Sequence, residues 1–403
     1  MTDVEIPAAQ APSWVMARDS SEELAKVRAE LAADGCAMAV LGSMEGVTYA
    51  TGWEVPVPLG AGADLAWGRP TLVVSTEGAV LVVPDGLERA ARGMAEVDEF
   101  VPFATFDGVT PIDGRAAYLA ALEQALRLAC GRGGRGTVAL EGRSLAATAA
   151  EVVTDALSGW TIADAEKPLA RARLVKTARE IARLRHCADL ADVAQKTLLA
   201  QCQTPGADEY RLWAEVSAAV FAAHGRDIPL TGEIVTGPRT ATVAYPNGPR
   251  ARVTETGDPV LMDLSGRAAG YWFDCTNTLL VGGAEPNPEQ LRLARASQAA
   301  CEAAMDALRP GALACDAAAA AAAAFASFGL PMAHYAGHQV GVSVNELPRL
   351  VPYDRTPIRA GMVFSVEPGA YAGPGGSFGA RSEKMVLVTD AGPEILSTFD
   401  WGI

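Results

Sequence analysis

The spacing of hydrophobic and polar positions changes along this chain. In residues 1 to about 165, short β-branched runs such as CAMAVLG, TLVVSTEGAVLVVP and GTVALEG alternate with helical stretches such as AAYLAALEQALRLA. The middle run carries a glycine at its centre and predicts a β-hairpin. Strands and helices in alternation are typical of an α/β domain.

After the first part, hydrophobic residues recur at helical spacing. The stretch TAREIARLRHCADLADVAQKTLLAQC predicts one long helix, which Pro205 and Gly206 end. Asp208 is a candidate N-cap for a second helix that ends at Gly225. The preceding ADAEKPLARARLVKT indicates a linker. We therefore expect two domains, residues 1–168 and 169–403.

Beyond residue 227, strand-like runs predominate, and two helical stretches interrupt them. One of these is the alanine run 317–324, extended to Phe328. Alanine favours helix, and the run is shorter than the ~20 residues that cross a bilayer, so we expect a buried helix. Helices covering one face of a mostly antiparallel sheet predict an α+β fold for this part.

Composition excludes several classes of function. Lys+Arg 33 against Asp+Glu 48 gives a net charge of −15, which argues against nucleic-acid or anionic-membrane partners. The seven cysteines form no C-x-x-C pair, so a zinc ribbon or disulfide framework is not expected. The start MTDVEIPAAQAPSW lacks the features of a signal peptide. These observations predict a cytoplasmic protein.

Carboxylates recur inside the apolar runs of the second part. They are Asp263 in VLMDLSG, Asp274 in YWFDCTNTLL, Glu367 in VFSVEPGAY and Glu383 in ARSEKMVLV. Each one alone is compatible with a strand end or a solvent-facing position. Together with the histidine pair of HYAGHQVGVSVNE, they suggest a shared pocket, where mutual repulsion would require a divalent cation. Oxygen-rich ligation with a single imidazole favours Mn, Fe(II), Co or Zn.

Six motifs occur in a familiar order: KTAREIARLR, TPGADE, VLMDLSGRAAGYWFDCTNTLLVGG, HYAGHQVGVSVNE, RAGMVFSVEPGAYAG and ARSEKMVLVTDAG. Over roughly residues 170–400, the chain resembles the pita-bread metallopeptidases, which include Xaa-Pro aminopeptidases, prolidases and creatinases. The first part resembles their α/β creatinase-like N-terminal domain in size, position and pattern. The resemblance implies a pita-bread catalytic domain behind a smaller α/β domain.

The resemblance also implies a ligand set for two divalent metal ions, with manganese expected first and Fe, Co or Zn as alternatives. Asp263 would hold one ion, and His338 and Glu367 would hold the other. Asp274 and Glu383 would bridge the two ions.

Three residues receive catalytic roles from the same likeness. Glu367 would also carry the proton of the attacking water. His334 would hydrogen-bond the substrate or the tetrahedral intermediate, unless it is a structural core histidine. Arg381 would support the metal ligands or bind a substrate carboxylate, unless it is a surface arginine.

The neighbours of Asp274 have both supporting and packing interpretations. Thr276 and Thr278 are expected to support Asp274. Trp272, in the aromatic run before Asp274, is a candidate wall of the substrate pocket, and the alternative is a core strand with alternating aromatics.

Two asparagines depart from the family pattern. Asn345 stands where the family usually has the histidine of a His-Glu pair. Asn247 stands close to the sequence position at which the family usually has a second, substrate-facing histidine. Asparagine keeps hydrogen bonding but cannot become a cation. Both asparagines are therefore candidate substrate-binding residues, and an ordinary Xaa-Pro dipeptide is not the expected substrate. Creatinases also fit poorly, because they lack the metal set that is complete here.

We therefore expect a homodimeric, metal-dependent hydrolase that cleaves an amide or peptide C–N bond of a small substrate. The alternatives are a metal-dependent lyase or a specialised hydrolase, similar to dimethylsulfoniopropionate lyase or ectoine hydrolase, and a non-enzymatic binding protein of this fold. In family dimers the partner's N-terminal domain often closes the pocket. Residues 51–68, with Trp53 and Trp67, are thus a candidate lid, although both tryptophans fit simple packing equally well.

Overall fold

The computed structural model describes residues 20–130, 135–243 and 247–403. The chain forms two compact units, Met1–Arg173 and Leu174–Ile403. The N-terminal stretch on which the localisation prediction rests lies outside the described residues. Within the described ranges, no helix combines the length and apolar character needed to cross a bilayer.

The first unit is built on a mixed β-sheet flanked by helices. Its strands are β1 (Met38–Leu41), β2 (Thr71–Ser75), β3 (Ala79–Pro84), β4 (Glu99–Phe103), β5 (Thr137–Leu140) and β6 (Thr161–Asp164). Its helices are α1 (Ser21–Ala33), α2 (Met44–Thr51), α3 (Ala61–Leu65), α4 (Asp85–Met94), α5 (Gly114–Cys130), α6 (Ala147–Ala156) and α7 (Glu166–Arg173). Within the described residues, the sheet has six strands in the order β4-β3-β2-β1-β5-β6.

The predicted hairpin is confirmed, because β2 and β3 pair antiparallel with Val73 opposite Val80. Helices α5 and α6 bury Leu122, Leu126 and Val153 against the sheet. Of the two tryptophans in the candidate lid, Trp53 is buried, whereas Trp67 is exposed and lies 5.7 Å from the ring of Tyr118.

The linker prediction is wrong for residues 166–173, which form α7. Pro168, Leu169 and Ala172 lie on its buried face, and Arg171 forms ion pairs with Glu30 and Asp34 at the end of α1. The apolar spacing on α7 is that of an amphipathic helix, which the surrounding charges mask in the sequence. The domain boundary after residue 168 stays a prediction.

The second unit contains four helices in its described part. They are α8 (Ala178–Gln201), α9 (Glu209–His224), α10 (Pro288–Ala307) and α11 (Ala314–Ser327). The caps follow the sequence: Thr177 and Glu180 form a capping box, the Asp208 side chain accepts from Arg211 N, and Gly225 ends α9 in the left-handed region. Helix α11 buries Ala317, Ala321 and Phe325, which confirms the predicted alanine helix.

The strands of the second unit form antiparallel sheets. The first sheet has the order β7-β8-β9, from β7 (Leu230–Thr236), β8 (Pro259–Ala268) and β9 (Tyr271–Leu280). The second has the order β11-β10-β12-β15-β16, from β10 (Gly337–Gln339), β11 (Glu346–Arg349), β12 (Val363–Val366), β15 (Lys384–Thr389) and β16 (Gly392–Ile395). A short pair joins β13 (Gly369–Tyr371) to β14 (Gly379–Arg381). The predicted α+β class is confirmed, with α10 and α11 covering the apolar side of the second sheet.

Candidate active site

The register of β7, β8 and β9 collects polar side chains on one face of the first sheet. Asp263 lies opposite Glu233 on β7 and opposite Thr276 on β9. Ser265 lies opposite Asp274. Residues directly opposite each other on antiparallel strands point to the same face, so all five side chains share it. The apolar residues between them face the other way, which gives each strand its mostly hydrophobic sequence.

The second sheet supplies the remaining candidate ligands. On β10, His338 pairs with Ser365 of β12. Glu367 directly follows β12, and Glu383 directly precedes β15. Gly337 makes this arrangement possible: its φ is +147°, and a Cβ there would lie 2.1 Å from the carbonyl oxygen of Ser365.

The two sheets bring the predicted metal ligands together. One carboxylate oxygen from each of Asp263, Asp274 and Glu383 lies within 4.8 Å of the other two. His338 Nε2 lies 3.5 Å from Asp274 Oδ2 and 3.2 Å from Glu367 Oε1. Nδ1 of His338 is within hydrogen-bond distance of the Gln339 carbonyl oxygen, 2.9 Å away, so Nε2 is the atom that faces the carboxylates.

In the metal-free protein, the carboxylates of the cluster repel one another. Burial raises the pKa of Asp263 well above its ordinary value, although Arg381 opposes the shift. Burial and the charges of Asp274 and Glu367 raise the pKa of Glu383 in the same way. Burial alone would lower the pKa of His338, but its hydrogen bonds to Asp274 and Glu367 raise that pKa to about 10. The cluster therefore favours any positive charge that can enter it.

Arg381 is the guanidinium of this cluster, and it is only 4% exposed. Its Nη2 donates to Asp263 Oδ2 at 2.6 Å and to Glu233 Oε2 at 2.7 Å. Its Nε donates to Thr276 Oγ1 at 3.2 Å, and its Nη1 donates to Tyr371 OH at 3.1 Å. The structure therefore does not place Arg381 on the surface. Its donors are turned toward the protein, which is the geometry of a group that orients Asp263.

His334 belongs to the same hydrogen-bond chain. Its Nδ1 donates to the Tyr335 carbonyl oxygen at 2.9 Å, and its Nε2 lies 3.1 Å from Tyr371 OH. Because the Tyr371 oxygen accepts from Arg381, the phenolic proton is directed to His334 Nε2. Burial lowers the pKa of His334, which favours this neutral state.

The predicted partners of two threonines are wrong. Thr276 donates to Glu383 Oε2 at 2.7 Å, and Thr278 donates to the Arg381 carbonyl oxygen at 3.1 Å. Side chains two residues apart on one strand are separated by about 6.5 Å, too far for either threonine to reach Asp274 along β9. Asp274 instead accepts from Ser265 Oγ, at 2.8 Å, across the strand pair.

The three predicted substrate-binding residues lie in different surroundings. Asn345 donates to Tyr335 OH at 3.4 Å and accepts from Arg349 Nε at 3.0 Å. Trp272 is half-buried and, by the alternation of β9, points to the same face as Asp274.

The contact observed for Asn247 lies outside the carboxylate cluster. Its Oδ1 accepts from Arg239 Nη2 at 3.0 Å, and Arg239 in turn pairs with Glu209 at the start of α9. The preceding residues 244–246, part of the stretch used to align Asn247, lie outside the described residues. The substrate-binding roles of Asn247, Asn345 and Trp272 all stay predictions.

Sequence reasoning missed three residues of the site. Glu233 shares Arg381 with Asp263, Tyr371 links Arg381 to His334, and Ser265 holds Asp274. The signal for Glu233 was available, because it is a carboxylate inside the apolar strand GEIVTG. Tyr371 and Ser265 carry no comparable signal, since a tyrosine or serine on a strand is common.

The residues present fit divalent metal ions. Among the described residues, Glu383 Oε1 is buried without a hydrogen-bond partner. Asp263, Asp274, Glu367, Glu383 and Glu233 carry five carboxylates around the single guanidinium of Arg381. Hard oxygen donors with one imidazole are the ligands of first-row divalent ions. A buried carboxylate oxygen without a partner is costly unless a cation binds it.

Comparison with known proteins places this site in a family. The profile of Metallopeptidase family M24 matches residues 182–390, more than half of the chain. The chain belongs to metallopeptidase family M24. The profile of the Creatinase/Prolidase N-terminal domain matches residues 23–175. The predicted recognition is thereby confirmed.

Individual M24 relatives support the same fold. The chain is 30% identical over 227 residues to "Xaa-Pro dipeptidase" of Pyrococcus furiosus, covering 56% of this chain and 63% of that protein. It is 33% identical over 227 residues to "Probable dipeptidase PepE" of Mycobacterium tuberculosis, covering 56% and 58%. The matches thus span about three fifths of the length of these relatives.

Solved M24 structures match almost the whole chain. Dipeptidase PepE from Mycobacterium ulcerans superposes with a TM-score of 0.73 at 26% identity, covering 94% of this chain and 96% of its own. Xaa-Pro dipeptidase from Bacillus anthracis superposes with a TM-score of 0.77 at 21% identity, covering 95% and 99%. The predicted pita-bread fold with a creatinase-like N-terminal domain is confirmed.

Proposed function

We propose that this chain hydrolyses a peptide or amide C–N bond of a small substrate, with two divalent metal ions in the carboxylate cluster. One observation carries the proposal: Asp263, Asp274 and Glu383 converge within 4.8 Å, beside His338 and Glu367, in a buried site. The chain belongs to a metallopeptidase family, which supports a metal-binding role for these residues.

Charge balance supports two ions rather than one. Five carboxylates and one guanidinium leave four negative charges, which two divalent ions would neutralise. His338 supplies the one nitrogen ligand of an otherwise oxygen-rich set. That donor set suits manganese, which we propose as the resident ion ahead of iron, cobalt or zinc.

The ligand roles are those that the family likeness implies, and the convergence of these side chains supports them. Asp263 is proposed to hold the first ion, with His338 and Glu367 on the second and Asp274 and Glu383 between them. When bound, two ions of this kind acidify a water molecule and polarise the carbonyl of the scissile bond.

The protein's own residues handle the proton and the orientation of the ligands. Glu367 would accept the proton of the attacking water at its carboxylate and return it to the leaving amine. Arg381 would hold Asp263 in place through the 2.6 Å bond to Oδ2. His334 would reach the substrate by exchanging its Tyr371 hydrogen bond for one to the substrate.

The substrate is proposed to be a small peptide or amide other than an ordinary Xaa-Pro dipeptide. The relatives' names are Xaa-Pro dipeptidase and dipeptidase, which supports short substrates. Asn345 stands where a histidine is expected, and its amide is held between Tyr335 and Arg349. An asparagine there can orient a polar group but cannot transfer a proton, so the position favours a different substrate group.

A homodimer in the cytoplasm completes the proposal. The odd number and scattered spacing of the seven cysteines support a reducing compartment. Light scattering should give about twice the chain mass of 41.8 kDa. A mass equal to one chain would remove the dimer from the proposal without affecting the hydrolase.

The test combines metal analysis with a substrate screen. The purified protein, loaded with Mn(II) or Fe(II), is assayed on Xaa-Pro dipeptides, other dipeptides, cyclic amidines and sulfonium acids. Mass spectrometry of the products separates the reactions, because hydrolysis adds the elements of water and elimination does not. Elimination products would establish the lyase alternative.

Variants connect the activity to the cluster. Asp274→Ala should abolish metal binding at the bridge and reduce the rate at least 100-fold. The control is Asp258→Asn, whose carboxylate pairs with Arg252 away from the cluster. A protein that binds no divalent ion, or an Asp274→Ala variant with full activity, would refute the proposal.

A further inference from the structure

One face of α10 holds the backbone on both sides of Glu367. Ser297 Oγ donates to the Pro368 carbonyl oxygen at 2.8 Å, and Cys301 Sγ donates to the Val366 carbonyl oxygen at 3.2 Å. Positions four residues apart on a helix lie on the same face, so the two donors reach the same segment. The N–H of Glu367 itself donates to the Ala336 carbonyl oxygen at 2.9 Å. The main chain of this ligand is therefore held at three consecutive residues.

Ser297 also reaches the segment of the second carboxylate, because its Oγ lies 3.0 Å from Ser382 Oγ. The geometry makes Ser297 Oγ the donor toward both Pro368 O and Ser382 Oγ, so its one proton is shared between the two acceptors. Ser382 directly precedes Glu383, and Pro368 directly follows Glu367. A single hydroxyl joins the two loops that carry these carboxylates.

We propose that Ser297 is a positioning residue of the metal centre, which fixes the Glu367 and Glu383 segments relative to each other. The inference rests on the proposed function, because it concerns the same two ligands. Ser297 is fully buried and Ser382 is 4% exposed, so water does not replace these bonds when one is removed.

The physical need for such a link comes from repulsion. Glu367 and Glu383 are both buried carboxylates whose charges act on each other, and Glu383 Oε1 is without a partner among the described residues. In the metal-free protein the charges of the two carboxylates repel each other. A buried hydrogen-bond chain behind them keeps the two loops at the separation that an arriving ion requires, which lowers the cost of assembling the site.

The test is a Mn(II) titration of the full-length protein at 25 °C, followed by the electron paramagnetic resonance signal of free Mn(II). Ser297→Ala should weaken Mn(II) binding about 10-fold, the lower end of the effect of removing a residue that supports metal ligands. Ser297→Cys, which keeps a weaker donor of similar size, should give an intermediate loss. Ser382→Ala should weaken binding less than Ser297→Ala, and the double variant should add little to Ser297→Ala.

The matched control is Thr197→Ala. Its hydroxyl donates to Val193 within α8 and contacts neither ligand segment, so Mn(II) affinity should stay within about 2-fold of the unsubstituted protein. The melting temperature of each metal-free variant is recorded in parallel, because a purely structural serine would lower it without changing the affinity at 25 °C.

Unchanged Mn(II) affinity in Ser297→Ala overturns the inference, whatever its melting temperature. If that variant does not fold, Ser382→Ala decides in its place, and unchanged affinity there has the same consequence. If instead the unsubstituted protein binds no Mn(II), Fe(II), Co(II) or Zn(II), the proposed function fails first and the inference with it.

Discussion

The strongest prediction concerns the trio formed by the buried Glu233 and Arg381 with the partly buried Asp263. Arg381 Nη2 donates to both carboxylates, at 2.7 Å and 2.6 Å, with the arginine and Glu233 each 4% exposed. Arg381→Met leaves the buried Glu233 and the partly buried Asp263 without their cation, and removing one partner of a buried pair costs about 3–5 kcal/mol. Glu233→Met leaves Arg381 paired with Asp263, so it costs only the lost charge-assisted bond, about 1.5–3 kcal/mol.

The double variant distinguishes a coupled trio from independent contacts. Once Arg381 is absent, Glu233 is an unpaired buried charge, and replacing it by methionine removes that charge rather than a favourable bond. We therefore expect the double variant to cost no more than Arg381→Met alone. The coupling free energy should then be at least the cost of Glu233→Met, about 1.5–3 kcal/mol.

The assay is urea denaturation of the metal-free protein in a chelator, followed by far-ultraviolet circular dichroism, with the transition of the second unit fitted by itself. The control cycle uses Arg252 and Asp258, a bidentate pair whose side chains are 30% and 15% exposed. Its coupling should be about 1 kcal/mol or less, because solvent screens it. Additive losses in the Glu233–Arg381 cycle, within about 0.5 kcal/mol, would refute the reasoning.

Three further predictions test other parts of the molecule. Glu383→Gln should raise the melting temperature of the metal-free protein, because it removes a buried charge. The same variant should weaken Mn(II) binding at least 10-fold. A lower melting temperature would contradict the first expectation. His186 Nε2 lies 2.9 Å from His224 Nδ1. Burial and the charge of His224 lower the pKa of His186 to about 4. As the pH falls below 6.5, His186 takes up a proton in the unfolded chain before it does so in the folded chain. The free energy of unfolding should therefore fall by about 1 kcal/mol as the pH is lowered from 6.5 to 4, after allowing for the partial exposure of His186. In His186→Gln, the urea midpoint should depend less on pH over this range. Gly337→Ala should unfold the protein at lower temperature and weaken metal binding, because its Cβ would lie 2.1 Å from the Ser365 carbonyl oxygen; Gly329→Ala, at a helix end with open space, should show the smaller loss in both measurements.

Much of the fold could be predicted from residues that lie close together in the sequence. The hairpin of β2 and β3, the caps at Thr177 and Asp208, and the alanine helix each rest on residues close together in the sequence. The exception is α7, where Pro168 and the surrounding charges concealed a short amphipathic helix in an apparent linker. Propensity is weak over eight residues, and packing against α1 decides such a segment.

The partners of side chains were much harder to foresee. The sequence indicated carboxylates in apolar strands, but it assigned Thr276 and Thr278 to Asp274, whereas they bond to Glu383 and to the Arg381 backbone. It contained no sign that Ser265 would hold Asp274. Cross-strand partners depend on register, and a shift of one residue turns every side chain to the opposite face.

The sequence by itself predicted the class of chemistry, because a charged carboxylate in an apolar strand is costly unless something pairs with it, and because five candidate ligands occur in the order that the family likeness implies. Only the tertiary structure decided how the site is supported. The pairing of β7 with β8 placed Glu233 opposite Asp263, and Arg381 of β14 donates hydrogen bonds to both. The packing of α10 brought Ser297 within hydrogen-bond distance of Pro368 and Ser382. These contacts join residues 71 to 148 positions apart, and such distances in sequence are bridged by packing that no local pattern encodes.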